Sequence, residues 1–158
     1  MFSAEATVVI RRPARDVLEF VLDLERYRQA DTKIGRVDFV ERTGNSGRAR
    51  YAGTMRGLPG PTETVSWTLE PYSQLRFVST PTLWPGLVYR FEGLFACDEV
   101  REGTRVLHRE SVFLRRPISW IMDPILRGWL ARDIVEEMQR MKRLLEAESW
   151  VGGAAMPE

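Results

Sequence analysis

The stretch DPILRGWLARDIVEEMQRMKRLLEA, residues 123–147, decides the reading of this chain. Asp123 can accept from the free amides of a first helical turn, and Pro124 suits the first helical position, where no N–H is needed. The pattern predicts a helix from Asp123-Pro124 to about Ala147. About 24 residues at 1.5 Å each make a rod of roughly 36 Å, enough to cross a small domain. At 100° per residue, Leu130, Ile134, Met138, Met141 and Leu145 form one narrow apolar stripe. Extended toward the N-terminus, the stripe meets Arg127, with Trp129 near it and Asp133 and Glu137 along its flank. The second half therefore reads as a packing face and the first half as the wall of something else.

Upstream, strands and turns alternate. Residues 4–10 are rich in β-formers, and Pro13 opens a helix in which Val17, Phe20, Val21 and Leu24 share a face. A second helical turn follows through Leu24–Tyr27. Val37, Phe39 and Glu41 alternate with Arg36, Asp38 and Val40 before the turn Thr43–Gly47. The next strand, Arg48 to Arg56, points Ala49, Tyr51 and Met55 to one side, and Gly57–Pro61 makes a hairpin tip. Val65, Trp67 and Leu69 follow on one face, then Leu75 and Phe77 after a turn at residues 70–73. Residues 80–86, with two prolines, read as an irregular loop. Leu87, Tyr89, Phe91, Phe95 and Cys97 form the inward set of the next strand, and Glu102-Gly103 turns into the last, Thr104–Leu114. Strands joined by tight turns and one long helix make an α+β antiparallel meander, whose single buried face the helix covers.

Composition narrows the function. The 158 residues are 44% hydrophobic and 28% charged, fitting one globular domain over residues 1–150 with a Gly/Ala-rich tail at 151–158. A net charge of +1 argues against a dedicated nucleic-acid binder. The lone Cys97 rules out an internal disulfide, and no signal peptide or apolar span is visible, so a reducing, cytoplasmic setting fits. No Gly-rich phosphate loop, metal-ligand set or serine nucleophile elbow is present, so no cofactor or metal is expected.

The order of elements resembles the helix-grip fold of the START and Bet v 1-like (SRPBCC) superfamily, whose bacterial members include polyketide cyclase/dehydrase-like proteins. The carrying residues are Ile10-Arg11-Arg12-Pro13-Ala14-Arg15-Asp16-Val17 at the strand-to-helix junction, and Asp23-Leu24-Glu25-Arg26-Tyr27 after it. Gly103-Thr104-Arg105-Val106 and Met141-Lys142 with Glu146 complete the set. One departure stands out. Many members carry a tryptophan a few positions after the tyrosine, where this chain has Gln29-Ala30-Asp31.

The resemblance implies a curved sheet of about seven strands gripping the long helix, two short helices after the first strand, and an apolar cavity between sheet and helix. It also implies a small hydrophobic ligand such as a lipid, isoprenoid or polyketide, bound or carried. The alternatives are a cyclase, aromatase or dehydratase acting on such a ligand, and a co-chaperone-like interaction module. The protein would be a monomer or homodimer.

Candidate residues follow from the strand phases. With Arg105 and Arg109 outward, His108 and Glu110 share the concave face, either as an acid–base pair or as a structural ion pair with Glu110 held by Arg127 or a sheet arginine. Tyr51 and Tyr89 are their candidate catalytic companions. The expected ligand wall is Tyr51, Met55, Trp67, Phe77, Tyr89, Phe91, His108, Glu110, Leu126, Trp129, Leu130 and Asp133. The apolar run 118–129 reads either as a lid or dimer contact, or as a patch for a membrane surface, which Arg115-Arg116 would suit.

Overall fold

The computed structural model describes residues 1–148 apart from residues 56, 81, 85, 86 and 118, and gives only the backbone at 55, 82–84 and 87–89. The expected tail at 151–158 and Trp150 lie outside the described residues.

β1 (Phe2–Ile10) leads into α1 (Ala14–Leu22) and the single turn α2 (Leu24–Tyr27). Pro13 precedes α1 in extended conformation, and Asp23 caps α2 by accepting from the Arg26 amide at 3.3 Å. Seven more strands follow: β2 (Ile34–Thr43), β3 (Ser46–Met55), β4 (Leu58–Glu70), β5 (Gln74–Ser79), β6 (Thr82–Trp84), β7 (Leu87–Val100) and β8 (Gly103–Leu114). They pair antiparallel in the order β1-β8-β7-β5-β4-β3-β2, with β6 set aside against β7. The main path is thus a seven-stranded open sheet, and the fold is the α+β helix grip. Residues 82–84, expected to be irregular, form β6 because their backbone pairs antiparallel with residues 87–89.

Two glycines mark where the sheet needs a missing side chain. Gly47 lies opposite Trp67, and a Cβ there would stand 2.4 Å from the indole. Gly103 has φ +137° and approaches the Ile10 carbonyl too closely for any Cβ.

α3 (Ser119–Glu148) crosses the concave face. The expected start at Asp123 is corrected: the helix begins one turn earlier, where the Trp120 amide reaches the Pro117 carbonyl at 3.1 Å. Pro124 is then interior, and its missing N–H leaves the Trp120 carbonyl without the usual donor. Asp123 caps nothing; its Oδ2 accepts from the N-terminal amine of Met1 at 3.1 Å.

Leu130, Ile134, Met138, Met141 and Leu145 are all buried, as the stripe requires. Met138, Met141 and Leu145 join the main core with Leu18, Val21, Trp67, Leu75 and Phe95. Leu130 belongs instead to a second cluster with Phe2 and Val112, flanked by Leu126 and Trp129. The helix does divide into two packing environments.

Its C-terminal half is clamped by the segments that carried the resemblance. Arg11 N–H donates to Glu146 at 3.0 Å, Arg12 donates to the Leu145 carbonyl at 3.0 Å, and Lys142 donates to the Val9 carbonyl at 2.5 Å. Among the described residues no helix is long and apolar enough to cross a membrane.

Candidate functional site

Three elements meet where the helix faces the sheet. Behind α2, Asp31 Oδ1 accepts from the Lys33 amide at 2.9 Å, closing a tight turn that aims the Lys33 side chain inward just before β2. Strand alternation turns His108, Glu110 and Val112 of β8 to the concave side. On α3, Asp133 and Glu137 stand one helical turn apart on the face toward the sheet.

Lys33 Nζ sits where these converge. It lies 2.6 Å from Glu137 Oε2, 2.8 Å from Asp133 Oδ2, 3.0 Å from Asp31 Oδ1 and 3.4 Å from Glu110 Oε1. Glu137 is wholly buried and also accepts from the Tyr27 hydroxyl. His108 stacks on Phe95 at 3.9 Å between ring centroids. Its Nδ1 faces the Leu94 carbonyl at 3.2 Å. Its Nε2 is 3.2 Å from Glu137 and 3.4 Å from Glu110, in ion-pair contact rather than an aligned hydrogen bond.

Both imidazole nitrogens therefore face acceptors, the arrangement of a protonated ring. Burial opposes that charge, but the carboxylates of Glu137 and Glu110 prevail and lift His108 to about 10. For Glu137, burial is outweighed by Lys33 and His108, which hold it well below the ordinary carboxylate range. Asp31 goes the other way: burial first, then the charge of Glu137, push it up to about 7 against the pull of Lys33. Burial disfavours the Lys33 charge, yet the surrounding carboxylates keep the ammonium protonated far above its normal range. His108, Glu110 and Glu137, and likewise Asp31, Asp133 and Glu137, each bring three ligand atoms within 4.8 Å of one another. Lys33 supplies a cation among them.

One side of this cluster opens into a cavity of about 210 Å³. Its wall is apolar along Phe2, Pro61, Phe91, Val112, Leu114, Met122, Leu126, Trp129 and Leu130, with Phe91 paired beside Val112 in the sheet. Polar character concentrates where Asp31, Lys33, Glu110, Glu63, Tyr51 and Thr54 reach the surface. Tyr51 donates to Glu63 at 3.3 Å. A hollow of about 30 Å³ lies beyond Asp31, Tyr51, Phe91 and Glu110, which border both spaces.

Of the residues expected at a ligand wall, Tyr51, Phe91, Glu110, Leu126, Trp129 and Leu130 line the larger cavity. Phe77 and His108 border the small hollow, so His108 stands one layer behind Glu110. Trp67 lines neither; it fills the core over Gly47, with the Arg42 guanidinium 5.7 Å from its ring. Asp133 contacts Lys33 without reaching the cavity wall. The side chains of Met55 and Tyr89 lie outside the described residues. Arg127 is exposed, so Glu110 is not its partner; Lys33 is.

Sequence reasoning missed Lys33, Asp31, Glu63 and the burial of Glu137. Two signals were available. Lys33 is one of two lysines among 23 basic residues, and Asp31 falls in the tripeptide that departs from the family's aromatic pattern.

A family model described as polyketide cyclase / dehydrase and lipid transport matches residues 1–146. The fold is similar to that of TTHA0849 from Thermus thermophilus, at TM-score 0.76 and 19% identity, covering 93% of this chain and 99% of that one. It is also similar to the Zhui aromatase/cyclase from Streptomyces sp. R1128, at TM-score 0.78 and 15% identity, covering 97% and 98%. The di-domain aromatase/cyclase StfQ of the steffimycin biosynthetic pathway aligns at TM-score 0.72 and 14% identity, over 94% of this chain and 51% of that one. At these identities the likeness concerns the fold alone. No curated protein matches the chain.

Proposed function

Because the chain belongs to the polyketide cyclase / dehydrase and lipid transport family, we propose that it binds a small, largely apolar molecule between sheet and helix. The observation that carries this reading is the cavity's division into a long apolar wall and one compact polar end. Apolar lining supplies affinity, and a few convergent polar groups set orientation. At 10–15 Å³ of such space per water, about 210 Å³ accommodates on the order of a dozen non-hydrogen atoms or more.

A cyclase or dehydratase is the second reading, favoured by one observation: a buried carboxyl, Asp31, stands at the cavity wall, where burial and the nearby charge of Glu137 push it up to about 7. A carboxyl poised there can take a proton from a bound ligand and return it near neutral pH. His108, with both nitrogens facing acceptors and set behind Glu110, serves in this reading as a positioning residue for the carboxylates.

The test is titration with the neutral fluorescent probe N-phenyl-1-naphthylamine. If Trp129 loses on the order of 100 Å² of contact, Trp129→Ala should weaken binding by roughly 2.5 kcal/mol, about 70-fold. Trp67→Ala should lower stability while changing affinity far less. Failure of the folded wild type to bind the probe would remove the ligand-binding reading. Loss of affinity in Trp67→Ala equal to that in Trp129→Ala would remove the wall assignment.

A further inference from the structure

The polar end of the cavity is short of donors. Lys33 reaches it, but its three N–H bonds already face four carboxylate oxygens within 3.4 Å. Tyr51 donates to Glu63, and Thr54 donates to the Thr32 carbonyl. Among the described wall residues a further side-chain donor is the Trp129 indole, which belongs to the apolar cluster with Phe2 and Val112. Acceptors are plentiful: Asp31 and Glu110 border the space, and their contacts with Lys33 and His108 engage Oδ1 and Oε1.

Charge points the same way. Asp31, Glu110, Asp133 and Glu137 stand against Lys33 and His108, so the cluster carries two negative charges with every group ionised. It keeps one when Asp31 holds its proton. An incoming carboxylate would set a like charge beside Asp31 and Glu110, where the donors of that end, Lys33, Tyr51 and Thr54, are already engaged with acceptors of the protein. Asp31 and Glu110 are buried, and between groups withdrawn from water such repulsion is strong; it discriminates by rejection rather than by added contacts.

Resting on the binding reading above, we infer that the cavity selects apolar ligands whose polar end is a hydrogen-bond donor, a hydroxyl or an ammonium, and rejects those ending in a carboxylate. Free fatty acids and aromatic acids are excluded on this basis. Phenols, alcohols and amines of similar bulk are admitted, with the donor set against Asp31 and Glu110.

Four probes of one shape decide it: 2-methylnaphthalene, 2-naphthol, 2-naphthylmethylamine and 2-naphthoate, titrated against the full chain at pH 8, where Asp31 is mostly ionised. The naphthol and the amine should bind at least as tightly as the hydrocarbon, and the naphthoate at least tenfold more weakly than the naphthol. In Glu110→Gln, checked for folding by thermal denaturation, an amide donor replaces a carboxylate, and the preference for naphthol over naphthoate should shrink at least threefold. Naphthoate binding as tightly as naphthol in the wild type would overturn the inference. So would a Glu110→Gln variant that folds and keeps the full preference. Should that variant not fold, the wild-type ranking alone decides. Weak binding of all four probes, with N-phenyl-1-naphthylamine still bound, would refute donor selection but spare the cavity. Loss of that probe as well would refute both.

Discussion

Lys33→Met tests the cluster most directly, because it keeps most of the aliphatic stem and deletes the ammonium among four carboxyl groups. Removing one member of a buried ion pair typically costs about 3–5 kcal/mol, since the partner's charge stays buried without compensation. Two features place this case near the lower end. The Lys33 side chain is 18% exposed, and Asp31 can take up a proton near neutrality. A loss of about 3 kcal/mol at pH 8 is expected, which for a domain of this size lowers Tm by roughly 6–12 °C.

The pH dependence makes the test specific. In the wild type, burial raises Glu137 but Lys33 and His108 depress it further, so its contribution is present above the unfolded carboxyl value and fades as pH falls. Without Lys33 the depression is relieved, and the carboxyls of the folded variant accept protons more readily. The deficit should therefore be largest at pH 8 and narrow steadily toward pH 5. Urea denaturation followed by tryptophan fluorescence at pH 5, 6, 7 and 8, with a check that the slope m is unchanged, measures this. A deficit below about 1 kcal/mol at pH 8, or one that does not change with pH, would refute the account of Lys33 as the charge that holds this cluster together.

Two further outcomes are expected. His108 is raised in the folded state to about 10, so its stabilising contribution is complete below about 6.5 and is lost as pH rises toward 10. Wild-type stability should fall through that window, and His108→Gln should be less stable at pH 6 yet show a flatter profile above pH 7; parallel profiles would contradict the assignment of charge. Ile134→Ala and Met141→Ala should each cost about 2–5 kcal/mol, both side chains being fully buried, whereas exposed Arg127→Ala should stay within about 0.5 kcal/mol. Chemical denaturation of the three variants checks this, and equal losses would show that the helix is not sided in the way its stripe implies.

Local periodicity alone was enough for most of the architecture. The stripe Leu130, Ile134, Met138, Met141 and Leu145 is the buried face of α3, and the alternation of β8 turned His108 and Glu110 inward together. These features are legible because each is a short-range consequence of helix or strand geometry acting on apolar surface. The start of α3 differs from its expected place for an equally local reason: Asp-Pro is a strong helix-start signal, but the apolar turn before it is helical as well, and Asp123 is drawn to the amine of Met1.

The site itself required tertiary structure. Lys33, Asp31, Glu110 and Glu137 come from a turn, a strand and a helix far apart in the chain, and nothing in their separate neighbourhoods marks them as one cluster. Glu137 sits on the flank of its stripe, where a carboxylate is ordinarily solvated; it is buried because Lys33, His108 and Tyr27 arrive from elsewhere to meet it. Trp67 and Trp129 look alike as aromatic candidates. Only the packing of the first over Gly47 and the second beside Phe2 and Val112 decides that one fills the core and the other lines the cavity. Periodicity says which face a residue turns inward. What meets it there depends on contacts between chain segments remote in sequence, and these exist only once the sheet has closed on the helix.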